Sequence, residues 1–114
     1  MPERIVAAQE LAALLGVLAH PDRIRIVEEL SVRGDQEVRE LREHLEIPAS
    51  RMSQHLTLLK RYRILREHKD GRKVLYHLQF PELARWLVGG FAFLTADGFT
   101  DTLETALEYW QLVP

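Results

Sequence analysis

The sequence predicts a mainly helical fold carrying one small β-hairpin. Three observations point there. Apolar residues recur at helical spacing through four stretches before residue 62, the period changes after Arg63 around an Asp70-Gly71 pair, and helical spacing returns beyond Phe80-Pro81. The predicted order is α-α-α-α-β-β-α-α, and 114 residues suit a single domain over 1–114.

The first helix is read from Ile5, Ala8, Leu11, Ala12, Leu15 and Leu18, with Leu14 and Val17 widening the stripe. Its second half is apolar nearly all round. Such a terminal helix needs cover on two sides; its own core is one, and a second subunit is a candidate for the other. His20-Pro21-Asp22 breaks it, and Pro21 suits the first turn of a second helix containing Ile24, Ile26, Val27 and Leu30. Gly34 and Asp35 close that helix.

Val38, Leu41 and Leu45 mark a short third helix, and Glu46-Ile47-Pro48 ends it. A fourth helix follows over about 49–62, with Met52, Leu56 and Leu59 as its apolar stripe. Two short helices joined by so brief a turn form a helix-turn-helix, here about 37–62. The stretches Ile64–Lys69 and Lys73–Leu78 flank Asp70-Gly71, a pair that favours the positive φ of a tight hairpin turn. A basic-tipped hairpin directly after a helix-turn-helix is a wing, about 64–78.

Leu83, Trp86, Leu87, Phe91 and Leu94 resume the helical period. Gly89-Gly90 leaves open whether that helix continues or kinks. Asp97-Gly98 is a clearer break, and the last helix carries Phe99, Leu103, Ala106, Leu107 and Trp110 on one face with Asp101, Glu104 and Glu108 on the other.

Composition narrows the chemistry. The chain has no cysteine, which excludes disulfide scaffolds, thiolate metal sites, thiol nucleophiles and thiol redox switches. No apolar run approaches the ~20 residues of a membrane span, and Met1-Pro2-Glu3-Arg4 does not read as a secretory signal, so a cytoplasmic location without membrane contact is expected. The formal charge of −2 argues at first against a polyanionic partner, but it averages two unlike parts. Residues 51–73 hold eight Lys or Arg against two acidic residues, a charge of +6, while the remainder holds seven against fifteen, a charge of −8.

Opposite its apolar stripe, the fourth helix presents Ser50, Gln54, Thr57 and Arg61, with Arg51 and Lys60 on the flanks. Gln can bond two-point to adenine and Arg to guanine, while Ser and Thr serve bases or phosphates. The helix has no carboxylate for DNA to repel. The plainer alternative is an ordinary solvated face, but the preceding short helix and the basic hairpin both favour nucleic acid.

The run Ser50-Arg51-Met52-Ser53-Gln54-His55-Leu56-Thr57-Leu58-Leu59-Lys60, then Ile64-Leu65-Arg66 and Asp70-Gly71-Arg72-Lys73-Val74-Leu75-Tyr76-His77-Leu78, resembles the recognition helix and wing of ArsR-type winged-helix repressors. Leu18-Ala19-His20-Pro21-Asp22-Arg23-Ile24-Arg25-Ile26 is similar to that family's entry into its second helix, and together these cover roughly residues 11–80. The resemblance implies a homodimeric bacterial transcription regulator, usually a repressor released by a signal, reading a near-palindromic double-stranded operator. It implies groove and backbone contacts from Ser50, Arg51, Ser53, Gln54 and His55, and wing contacts from Lys69, Arg72 and Lys73; Thr57, Lys60 and Arg61 extend the polar face. For His55, at the border of that face, a packing role is equally open. The terminal helices, about 3–19 and 80–112, would pair two subunits through Leu11, Leu14, Leu15, Leu18, Trp86, Phe91, Leu103, Leu107 and Trp110.

The metal sensing of the family's founding members does not carry over. Their thiolate pair falls on Glu37 and Arg39, and a second family site needs a late histidine where this chain has none after His77. His68 and His77 lie on opposite wing strands, but two ligands are too few for a structural zinc site, so no metal and no cofactor are expected. The aromatic group Trp86, Phe91, Phe93, Phe99, Tyr109 and Trp110 reads either as dimer packing or as a pocket for a small apolar effector at the dimer interface.

Two other functional classes compete with a DNA regulator. A winged helix binding protein or RNA, without an operator, is the alternative to the DNA regulator. An enzyme finds no support: the sequence has no Gly-rich phosphate loop, and Ser53 and His55 point about 160° apart on one helix, so no Ser-His relay forms.

Overall fold

A computed structural model describes residues 1–95. Its elements are α1 (Pro2–Leu18), α2 (Pro21–Arg33), α3 (Val38–Leu45), α4 (Ala49–Arg61), β1 (Leu65–Asp70), β2 (Lys73–Leu78) and α5 (Pro81–Thr95). The predicted final helix, with Phe99, Leu103, Leu107, Tyr109 and Trp110, lies outside the described residues.

Local chemistry sets the boundaries. His20 caps α2 by accepting the Asp22 N–H at Nδ1, 3.1 Å away, and Pro21 fills the first turn, where a missing N–H costs nothing. Gly34, at φ +83°, ends the helix in backbone territory that side chains disfavour. At the start of α3 the Glu40 carboxylate reaches back to the Glu37 N–H, 3.1 Å, as in a capping box. Glu46 then turns the chain through the left-handed region, and Ile47 anchors the turn in the core. α4 begins directly after Pro48 with no side chain capping its first N–H groups.

The core lies between α2, α3, α4 and the base of the hairpin. Ile26, Val27 and Leu30 meet Leu41, Leu45, Met52, Leu56 and Leu59, and Ile64, Leu65, Tyr76 and Leu78 close the floor. Each such side chain contributes about 1.5–3 kcal/mol by leaving water, so α4 is fixed from behind by three anchors. Val17 and Leu18 from α1 and Ala84 from α5 join the same core.

β1 and β2 pair antiparallel with Leu65 opposite Leu78 and Asp70 opposite Lys73. The turn is therefore Gly71-Arg72, one residue later than Asp70-Gly71, because Asp70 remains in the ladder. Gly71 takes the positive φ, +64°, at the first turn position, where a type II′ hairpin turn places glycine. A further pairing was not read from the sequence: Gln36 exchanges two backbone hydrogen bonds with Tyr76, 3.2 and 2.7 Å, which stitches the α2–α3 connection to the open side of β2. The buried Gln36 side chain is satisfied by His44 Nδ1 at 2.8 Å and the Gly34 carbonyl at 3.3 Å.

α5 runs unbroken through Gly89-Gly90, which settles the point the sequence left open. Leu18 requires a correction. It is 2% exposed and packs mainly within its own chain, because the last turn of α1 folds onto the core; it reaches the surface only in the wall of the groove between α1 and α5. Leu14 and Leu87 are partly buried against that core, whereas Leu11, Leu15 and Trp86 remain exposed.

Candidate nucleic-acid interface

Anchoring α4 through Met52, Leu56 and Leu59 turns its other side to solvent. Ser50, Arg51, Ser53, Gln54, Thr57, Lys60 and Arg61 are all exposed, so seven of the eight predicted residues on this helix occupy its open surface. The uncapped N-terminus adds its own positive pole, and its first N–H groups are available to an anion. Lys69, Arg72 and Lys73 are exposed at the hairpin tip.

His55 is the eighth and is mostly buried, reaching the surface only at the floor of the concavity between α2 and α4. It is 7% exposed, and its ring lies 4.5 Å from that of His20. Nε2 sits 3.5 Å from Asp22 Oδ2 without a hydrogen bond, and neither ring nitrogen has a hydrogen-bond partner among the described residues. Burial, then the neighbouring His20 and Arg23, lowers its pKa below the usual histidine range and outweighs the pull of Asp22. His55 packs against His20 and seats α4 on the start of α2, the packing role that its border position left open beside a groove contact. The physical reason is its register: it falls beside Leu56 and Met52 on the inward side.

Lys60 is exposed but engaged. Its Nζ lies 2.7 Å from Glu67 Oε1, and the Tyr76 hydroxyl donates to the same oxygen at 2.9 Å. The bonds from Lys60 and Tyr76 hold Glu67 below the usual carboxylate range, while burial first and the carboxylate second push Tyr76 up to about 12. This group ties the end of α4 to both wing strands and spends part of the Lys60 charge in doing so.

Sequence reasoning missed Arg23. It lines, with His20, a concavity whose other wall is Ser53, Gln54, His55, Thr57, Leu58 and Arg61 of α4. Its Nε is buried with no hydrogen-bond partner among the described residues. The signal was present in the sequence as a cation in the first turn of α2, but only the packing of α2 against α4 brings it to the polar face.

A second concavity is apolar: Leu15, Leu18, Ala19, Trp86, Leu87 and Phe93 line an open groove between α1 and α5. Ile5, Val6 and Leu11 extend exposed apolar surface along α1. Among the described residues no helix is long and apolar enough to cross a membrane.

A polar helix held outward by a packed helix-turn-helix, with a basic hairpin beside it, defines the winged-helix class of DNA-binding proteins. Residues 20–67 match the model of the bacterial regulatory protein arsR family. The transcriptional repressor PagR of Bacillus anthracis is 31% identical over 78 residues, 68% of this chain and 78% of PagR. Among solved structures, reduced HlyU from Vibrio cholerae superposes with TM-score 0.69 at 26% identity, covering 83% of this chain and 98% of HlyU. The transcriptional repressor BigR from Xylella fastidiosa gives 0.68 at 27% identity, covering 83% and 96%. The chain belongs to the ArsR family of bacterial regulatory proteins and carries its winged-helix DNA-binding fold. Its relatives named here are transcriptional regulators rather than enzymes.

Proposed function

We propose that the protein is a cytoplasmic, homodimeric repressor whose α4 lies in the major groove of a near-palindromic operator while the wing holds the backbone. The observation that carries this reading is the face of α4: seven exposed hydrogen-bonding or cationic side chains, no carboxylate, and an uncapped N-terminus. Gln54 and Arg51 are the base readers, since both side chains can bond two-point to a purine edge. Ser50, Ser53 and Thr57 bond phosphate or base, and Arg23 and Arg61 draw the backbone onto the concavity between α2 and α4. Lys69, Arg72 and Lys73 meet phosphates beside the groove.

The groove between α1 and α5 is the subunit contact. Exposed Leu11, Leu15, Trp86 and Phe93 form an apolar surface of a kind that a lone soluble chain rarely leaves uncovered. A second copy, related by a two-fold axis, covers the same patch on both chains and sets two α4 helices facing one side. A small apolar effector would enter at this seam, and its signature is quenching of Trp fluorescence accompanied by release of DNA.

Selection of bound duplexes from a random pool tests the reading. The expected result is a two-fold site whose half-sites lie about one helical turn, ~34–36 Å, apart. Recovery of no enriched duplex, with preference for single-stranded RNA, contradicts it.

A further inference from the structure

His68 and His77 were set aside as a metal site because the sequence offers only two ligands. The fold supplies a third. His68 opposes Leu75 and His77 opposes Arg66, so the two imidazoles are diagonal neighbours on one face of the hairpin, their rings 5.8 Å apart and edge-on. Asp35 reaches this face from the α2–α3 connection, which the Gln36–Tyr76 pairing fixes beside β2. Its Oδ2 lies 2.7 Å from His68 Nε2 and its Oδ1 2.8 Å from His77 Nδ1. Because an ionised carboxylate only accepts, each of those ring nitrogens carries its proton in this arrangement.

We propose that Asp35, His68 and His77 form a binding site for a divalent transition-metal ion of the zinc type. One ligand atom from each residue lies within 4.8 Å of the others, so small side-chain rotations bring all three to the ~2.0–2.2 Å bonds that zinc makes with nitrogen and oxygen. Two imidazoles and one carboxylate leave a fourth, tetrahedral position for water, and the open side of the cluster supplies both that water and an entry path. Imidazole donors favour zinc, nickel or copper over magnesium and calcium, which seek oxygen. On binding, each ring nitrogen exchanges its N–H···O bond for a bond to the metal, and the ring proton moves to the other nitrogen or to solvent. Arg66 faces the same side of the hairpin as His77, so the Asp35 charge is what makes the face acceptable to a cation.

A second group of the same composition, His20, Asp22 and His55, shows what disqualifies a cluster. There His20 Nδ1 is occupied as the cap of α2, Asp22 Oδ1 faces Arg25 at 3.5 Å, and Arg23 adds a further cation. In the wing cluster the bonded ring nitrogens are held by the third ligand, Asp35, itself, and among the described residues no guanidinium pairs with that carboxylate.

Calorimetric titration of zinc into the untagged, chelator-treated chain near neutral pH tests the site. One zinc per chain is expected. Loss of an outer-shell partner alone weakens metal sites about 10–100-fold, so His68→Gln, His77→Gln and Asp35→Asn should each weaken binding by about a hundredfold or more. His20→Gln should leave it unchanged. The side chains of His68, His77 and Asp35 are about a third exposed or more, at 42%, 35% and 32%, and circular dichroism checks that the variants remain folded. Absence of one-to-one binding, binding that survives both His68→Gln and His77→Gln, or binding lost only with His20→Gln overturns the proposal.

Discussion

The surface of α4 with the wing and the surface of α1 with α5 are both exposed, and they differ in what they leave exposed. The first shows hydroxyls, an amide and cations above a sealed core; the second shows Leu11, Leu15, Trp86 and Phe93. Water satisfies the first surface, so nothing about folding requires its composition, and the lack of carboxylates on α4 points to a polyanion. Water does not satisfy the second, which therefore points to another apolar surface. On the proposed reading, one small chain separates the work of reading DNA from the work of assembly on two different surfaces around a shared core.

The difference is broken most severely from the apolar side. The double substitution Leu11→Glu, Leu15→Glu should convert a dimer to a monomer in sedimentation while leaving the unfolding transition in place. Operator affinity should collapse with it, because each half-site is then bound alone and the gain from tethering two reading heads, about 10²–10⁴, disappears. A chain that dimerises unchanged would remove α1 from the interface.

On the polar side the effects are smaller and more selective. Gln54→Ala should cost about 1–3 kcal/mol at one base-pair position per half-site and relax preference there, as measured by competition among single-base operator variants. Equal loss on every sequence would make Gln54 a backbone contact. Removal of Arg23, which the sequence did not single out, should instead weaken all duplexes alike.

His55 joins the two regimes, since it sits behind the reading surface. Its folded pKa is lowered, so as pH falls the unfolded chain takes up the proton first. Stability from this residue is full above the unfolded value, about 6.5, and declines as pH drops below it. Chemical denaturation at pH 7.5 and pH 5.5 should show that decline, and His55→Gln should reduce it. Asp35, also lowered, acts in the same direction but only within the carboxylate range, below about pH 4.

The parts legible in the sequence were those with local causes. The Met52, Leu56, Leu59 stripe located α4 and its open face, and the basic strands around Gly71 located the wing. What escaped were contacts between distant segments: Asp35 meets His68 across 33 residues and His77 across 42, and no spacing rule links them. Arg23 was missed for the same reason. Two ambiguities came from the borders of helical faces. Leu18 and His55 each sit where a face could turn either way, and packing turned both inward, Leu18 onto the core and His55 against His20. The turn was misplaced by one residue because Asp70 and Arg72 can both flank Gly71, and only the strand register decides.

The central claim is that charge on the wing and α4 binds the DNA backbone, and salt dependence tests it most directly. The logarithm of operator affinity should fall linearly with that of salt concentration, and replacing Lys69, Arg72 and Lys73 together by alanine should lower the slope by about 0.9 per lost phosphate contact, close to 3 in all. An unchanged slope, with affinity reduced or not, would mean that the wing does not touch the backbone.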